Sequence, residues 1–152
     1  MIVWLASYPK SGNTWLRAFL SAYFMTKDGE FNIENLDLIE SYPKANFFNN
    51  EIIEKGDVYK HWESSQKKIF DKKEIKFLKT HNALISRKEN DFTYPKYTLG
   101  VIYIIRDPRN VITSYKKHNQ LENYDEAYEY LKNENAGTLN DIKEKCAKAE
   151  HI

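Results

Sequence analysis

Three short apolar runs, each ending in a polar corner and separated by helical patterns, constrain this chain more than any other feature. They are "IVWLAS" (Ile2 to Ser7), "EIKFLKTH" (Glu74 to His81) and "GVIYIIRD" (Gly100 to Asp107). The first shows no helical alternation, as expected of a buried strand, and the third holds five consecutive apolar residues. Strands interleaved with helices imply right-handed βαβ crossovers and a parallel sheet. The expected fold class is therefore α/β, a three-layer parallel sheet with helices on both faces. In such sheets sites form at the carboxyl ends of the strands. Here those ends read "YPKSGNT", "KTH" and "RDPRN", the most chemically loaded stretches of the chain.

The helices follow from periodicity and punctuation. Trp15, Leu16, Phe19, Leu20, Tyr23 and Phe24 recur on one helical face, and Asp28-Gly29 supplies a stop. Residues 30–56 are irregular. Residues 57–71 read as a helix with Val58, Trp62, Ile69 and Phe70 on one side. "DPRNVITSYKKH" reads as a helix with Asp107 as N-cap and Pro108 at its first position, where the missing N–H is harmless. Two more helices are expected at about 124–134 and 138–150, the last opened by a Thr138/Asp141 capping box. Leu139, Ile142, Cys146 and Ala149 form its apolar stripe.

Composition narrows the function classes. The 152 residues suit one domain with a real core, and 41% hydrophobic with 30% charged residues suits a soluble globular chain. A formal net charge of +1 gives no electrostatic reason to expect a nucleic acid or an anionic membrane, so any basic site is local. The single cysteine, Cys146, permits no internal disulfide, which fits a reducing, cytoplasmic setting. No run approaches the roughly 20 apolar residues of a transmembrane helix, and no signal-type leader is expected.

The first corner, "YPKSGNTW", lies between a strand and a helix. A helix N-terminus presents unpaired N–H groups and a partial positive charge, which suit phosphate. Gly12 allows close approach of the backbone, Ser11, Asn13 and Thr14 add short donors, and Lys10 adds a full charge. The plainer alternative is a tight turn with an ordinary cap. The standard phosphate loop GxxxxGK[ST] is absent, which argues against a nucleotide triphosphatase of the usual kind.

On these residues the chain resembles the sulfotransferases that use 3′-phosphoadenosine 5′-phosphosulfate (PAPS). "YPKSGNTW" resembles their 5′-phosphosulfate loop, "LKTH" the segment with their catalytic histidine, and "VIYIIRDPRNVITSY" their 3′-phosphate motif, all in the family's order. The resemblance implies an α/β fold related to nucleotide kinases. It implies that Lys10 holds the bridging oxygen of PAPS and offsets charge growing on the leaving group. Ser11, Gly12, Asn13 and Thr14 would donate to the 5′-phosphate, and Trp15 would stack near the adenine. Family members often carry threonine at the position of Asn13. Arg106 and Ser114 map onto the 3′-phosphate ligands, where an arginine fork and a serine donor make chemical sense. Arg109 reads as solvated or structural. His81 maps onto the general base, a role that an imidazole of ordinary pKa about 6.5 suits. Lys79 would assist near the sulfonate. His61, His118 and His151 match no motif.

The implied reaction is in-line transfer of a sulfonate from PAPS to a hydroxyl or amine of a small-molecule, sugar or lipid acceptor. Positioning and electrostatics dominate such transfers. No metal is expected. Residues 30–70 and 82–99 are expected to shape the acceptor pocket. The family's arginine-lysine-glycine segment has no counterpart, so residues 1–152 read as a single sulfotransferase domain, whole or truncated. Two alternatives stand beside the enzyme: a PAPS-binding half-domain that works as a homodimer or with a complementing chain, and a nucleotide kinase of related fold.

Overall fold

The computed structural model describes residues 1–48, 58–132, 137–138 and 149–150. In chain order its elements are β1 (Ile2–Ser7), α1 (Asn13–Met25), α2 (Trp62–Asp71), β2 (Lys76–Thr80), β3 (Ser86–Arg87), β4 (Asn90–Asp91), β5 (Thr98–Ile104), α3 (Pro108–His118) and α4 (Tyr124–Lys132). The main sheet has the order β2-β1-β5, and both of its pairings are parallel. The three apolar runs are thus the three strands, with β5 ending at Ile104 rather than at Asp107.

β1 is the central strand, and its side chains alternate between two clusters. Ile2 and Trp4 pack with Tyr42, Trp62, Ile69, Leu78 and Phe92, joining β1 to α2 and β2. Leu5 packs with Leu20 and Ile39, and with the partly buried Leu16 of α1 and Phe77. Burying a side chain such as Ile2 or Leu5 contributes about 1.5–3 kcal/mol, and both are fully buried. The outer edge of β2 is covered as well. The Tyr42 N–H donates to the Lys79 carbonyl at 2.7 Å, and the Lys79 N–H donates to the Glu40 carbonyl at 2.9 Å.

β5 is different. Among the described residues it pairs with β1 alone, and Val101, Tyr103 and Ile105 are 59%, 65% and 79% exposed. Besides the β1 ladder, its first residue is anchored by side-chain bonds, Trp4 Nε1 donating to Thr98 Oγ1 at 3.1 Å and Thr98 Oγ1 donating to the Tyr94 carbonyl at 3.0 Å.

The helix ends follow from local chemistry. α1 stops at Met25, three residues before the expected Asp28-Gly29 signal, because Thr26 turns to an extended conformation and its hydroxyl donates to the Ala22 carbonyl at 2.7 Å. Of the predicted apolar face only Leu16 and Leu20 turn to the core. Trp15, Phe19, Tyr23 and Phe24 are exposed, and the first three form a stacked ladder with centroids 6.0 and 6.1 Å apart. In α2 the expected face holds for Trp62 and Ile69, while Phe70 lies at its rim. α3 begins as expected, with Pro108 in its first turn and Asp107 accepting the Arg109 N–H at 2.9 Å.

Residues 30–48 are irregular apart from two short 3-10 turns, Ile33–Leu38 and Ala45–Phe47. The expected helix at 138–150, with Leu139, Ile142 and Cys146, falls mostly outside the described residues. Its described ends pair instead as a short antiparallel ladder, Gly137 with Glu150 and Thr138 with Ala149.

Candidate functional site

Because all three strands run parallel, their carboxyl ends lie at one edge of the sheet. Two hydrogen bonds tie the corners together there. From the end of β2, His81 Nδ1 lies 2.7 Å from the Ser7 carbonyl oxygen at the end of β1. From the end of β5, Arg106 donates through Nη1 to the Lys10 carbonyl at 2.8 Å.

The turn between β1 and α1 has an unusual backbone. Lys10 sits in the left-handed region at φ 67°, and Gly12, the N-cap of α1, at φ 108°. Gly12 contributes no side-chain cap, and the first turn of α1 holds no acidic residue. The N–H groups opening this helix therefore keep their pull on an anion. The N-terminus of α3 is the opposite case. Asp107 caps it, and Arg109 folds back on Asp107 at 2.5 Å. That bond, with the Arg109 backbone N–H, holds the Asp107 carboxyl below its usual range. Arg109 is thus paired with Asp107 and otherwise exposed to solvent.

The predicted ligands divide into two groups. Lys10 is half-buried, and Gly12, Thr14 and Trp15 are exposed at the start of α1. Trp15 is 73% exposed, which rules out simple core packing. Ser11 and Asn13 are buried. The Asn13 amide points inward, donating to the Leu5 carbonyl at 2.9 Å and to Ser7 Oγ at 3.1 Å. Only its backbone N–H remains with the helix opening, so the expected side-chain contact of Asn13 with a phosphate does not fit this conformation. Arg106 is exposed, and Ser114 is half-buried on α3. Lys79 lies in β2 opposite Leu5, half-buried.

Two cavities flank these corners. One of about 400 Å³ opens beside His81 and Thr80, with walls that include Trp4, Leu84, Phe92, Val101 and Tyr103. Among the described residues no Asp, Glu, Lys or Arg lines it. Among the described residues its walls come from β1, the end of β2, the 81–93 segment and β5. The other, about 300 Å³, lies between the first and third corners, with Tyr8, Ser11, Ile104, Arg106 and Val111 in its wall. Burial, and to a smaller degree Tyr130, pushes the Tyr8 hydroxyl up to about 12.

The sequence alone marks Ser7 only as the end of a strand. Its buried serine after an apolar run was the available signal, and only the structure puts it against His81. Among the described residues no group of three or more His, Cys, Asp or Glu side chains is placed to hold a metal ion. Among them also, no helix is long and apolar enough to cross a membrane.

At one edge of the α/β sheet the structure thus gathers a helix opening without a side-chain cap beside Lys10, a histidine after the next strand and an arginine after the third. The family described as "Sulfotransferase domain" matches residues 2–150, and the chain belongs to that family. None of the curated proteins compared with it matches.

Proposed function

We propose that this chain transfers the sulfonate of PAPS to an acceptor hydroxyl or amine. The observation that carries the reading is the meeting of three strand ends: His81 on Ser7 and Arg106 on the Lys10 carbonyl, around an open helix N-terminus. In this family PAPS supplies the sulfonate. Lys10 and the N–H groups of the 11–14 turn would hold its 5′-phosphate and sulfonate, with the Ser11 and Thr14 hydroxyls as further donors. Trp15 would lie against the adenine, and Arg106 with Ser114 would select the 3′-phosphate. His81 would take the acceptor proton and Lys79 would offset charge at the sulfonate.

The uncharged cavity beside His81 is the natural acceptor site, and its apolar walls favour a neutral phenol or alcohol over an anionic sugar. We read residues 1–152 as a single domain of the nucleotide-kinase-like, three-layer type, acting in the cytoplasm. The exposed face of β5 favours a second reading in which this domain binds PAPS but turns over only with a second copy or a complementing chain. The test is to incubate the protein with PAPS and a panel of neutral phenols and alcohols, and to measure release of 3′-phosphoadenosine 5′-phosphate (PAP). Acceptor-dependent release abolished by Lys10→Ala supports the transfer reading. Release that appears only as protein concentration rises supports action with a second copy, and tight PAP binding without release at any concentration supports the need for a complementing chain.

A further inference from the structure

We infer that Ala6 is a specificity-determining residue: its small side chain, near the end of the central strand, opens the cavity beside His81 to a flat aromatic alcohol. The inference rests on the reading of that cavity as the acceptor site. Side chains alternate along a strand, so Ile2, Trp4 and Ala6 share one face of β1. Ile2 and Trp4 are buried with Tyr42, Trp62 and Phe92. Ala6 is only half-buried, although β1 is paired on both edges, and it lines the cavity. Its partners in register, Thr80 on β2 and Tyr103 on β5, line the cavity too, and Thr80 leads directly into His81. Ala6 is thus the middle of the cavity floor.

Alanine is depleted in strands, so its place on the central one needs a reason. One reason is packing: a neighbour presses on the position, and any larger side chain overpacks it. Ala6 does not fit that case, because it faces a cavity of about 400 Å³. A larger apolar residue has room there and would bury more apolar surface, as cavity-filling substitutions do. What it would displace is the acceptor. The rings of Trp4 and Phe92, 5.8 Å apart, and of Tyr103 stand in the surrounding wall, and aromatic walls suit a flat ring. Stability therefore favours a larger residue at this position, and admission of a ring beside His81 favours a small one.

Ala6→Val and Ala6→Leu separate the two demands, measured with no donor added. The melting temperature should hold or rise in both variants. Calorimetric titration with phenol and with 2-naphthol should show the wild type binding the two-ring probe more tightly. Ala6→Val should weaken 2-naphthol more than phenol, and Ala6→Leu should weaken 2-naphthol by at least about tenfold, since small changes of volume in an apolar pocket discriminate on that scale. A melting temperature that already falls in Ala6→Val would show a residue kept small by packing and overturn the inference. Equal losses for the two probes, an unchanged affinity for 2-naphthol, or no binding of 2-naphthol to the wild type would overturn it as well. If Ala6→Leu does not fold, Ala6→Val decides by the same readings. None of these measurements involves PAPS, so an absence of sulfonate transfer would remove the transfer reading and leave the ring site standing.

Discussion

β1 and β5 are both apolar strands ending in polar corners, yet the structure treats them oppositely. β1 is paired on both edges and its alternate side chains feed two clusters. β5 is just as apolar, with Val101 to Ile105 uninterrupted, yet it is far more exposed. A strand is buried by its neighbours, not by its own hydrophobicity. The contrast extends to the corners. At the end of β1, Ser7, Ser11 and Asn13 are buried and His81 is hydrogen-bonded into place, so the first two corners are built into the core. At the end of β5, Arg106 is exposed and donates to the Lys10 carbonyl, so the third corner hangs from the first. Substitutions near β1 should therefore affect chemistry and stability, and those near β5 recognition.

The largest effect should follow His81→Ala. Removing a general base costs roughly 10²- to 10⁴-fold in rate, so turnover should fall by that order while PAP affinity stays within a few-fold. A rate unchanged in steady-state assays would remove His81 from its role and the β1 side from the chemistry. Arg106→Ala should come next. A charged hydrogen bond to phosphate is worth about 1.5–3 kcal/mol, roughly 10- to 150-fold in affinity. Calorimetry should show that loss for PAP and much less for adenosine 5′-phosphate. An equal loss for both would make Arg106 a general anchor.

Two glycines compare the regions without touching any side chain. Gly12 at φ 108° is in a conformation that L residues rarely adopt, although a Cβ there would meet nothing within 4 Å. Gly12→Ala should lower stability by about 1–2 kcal/mol through backbone strain alone. Gly100 in β5 has ordinary φ and equally open surroundings. Gly100→Ala should be neutral or stabilising by up to about 1 kcal/mol. Denaturant melts would detect the difference, and equal effects would break the contrast.

The smallest effect concerns alkali. Burial pushes the Tyr8 and Tyr42 hydroxyls up to about 12, Tyr42 inside the β1 core. A raised folded pKa means the neutral form is favoured in the fold, so this contribution is complete below the ordinary tyrosine value of about 10 and is lost as pH rises from there through the folded value. The melting temperature should fall from about pH 10 upward. Tyr42→Phe, which removes an ionisable group from that core, should flatten the fall, and an identical profile would place the sensitivity elsewhere.

What was legible in the sequence was punctuation and polarity. Asp107-Pro108 marks the start of α3, and the three polar corners mark the site edge, because capping and strand ends are local chemistry. What was not legible depended on neighbours. The period of α1 gave a face, but not that Trp15, Phe19 and Tyr23 would stack outside while Leu16 and Leu20 met the core. The β3–β4 hairpin was hidden because its turn residues are Lys88 and Glu89, at φ 47° and 64°, where glycine or asparagine would have signalled it. The inward turn of Asn13 was hidden because its partners, Leu5 and Ser7, precede it on a strand and become reachable only once the corner has folded.

The central claim is that the three corners form one site for a 3′-phosphorylated nucleotide. The most direct test is titration calorimetry of the wild-type chain with PAP and with adenosine 5′-phosphate under one set of conditions. The account predicts at least about tenfold tighter binding of PAP, the value of one charged phosphate contact. Equal affinity for the two nucleotides would contradict it.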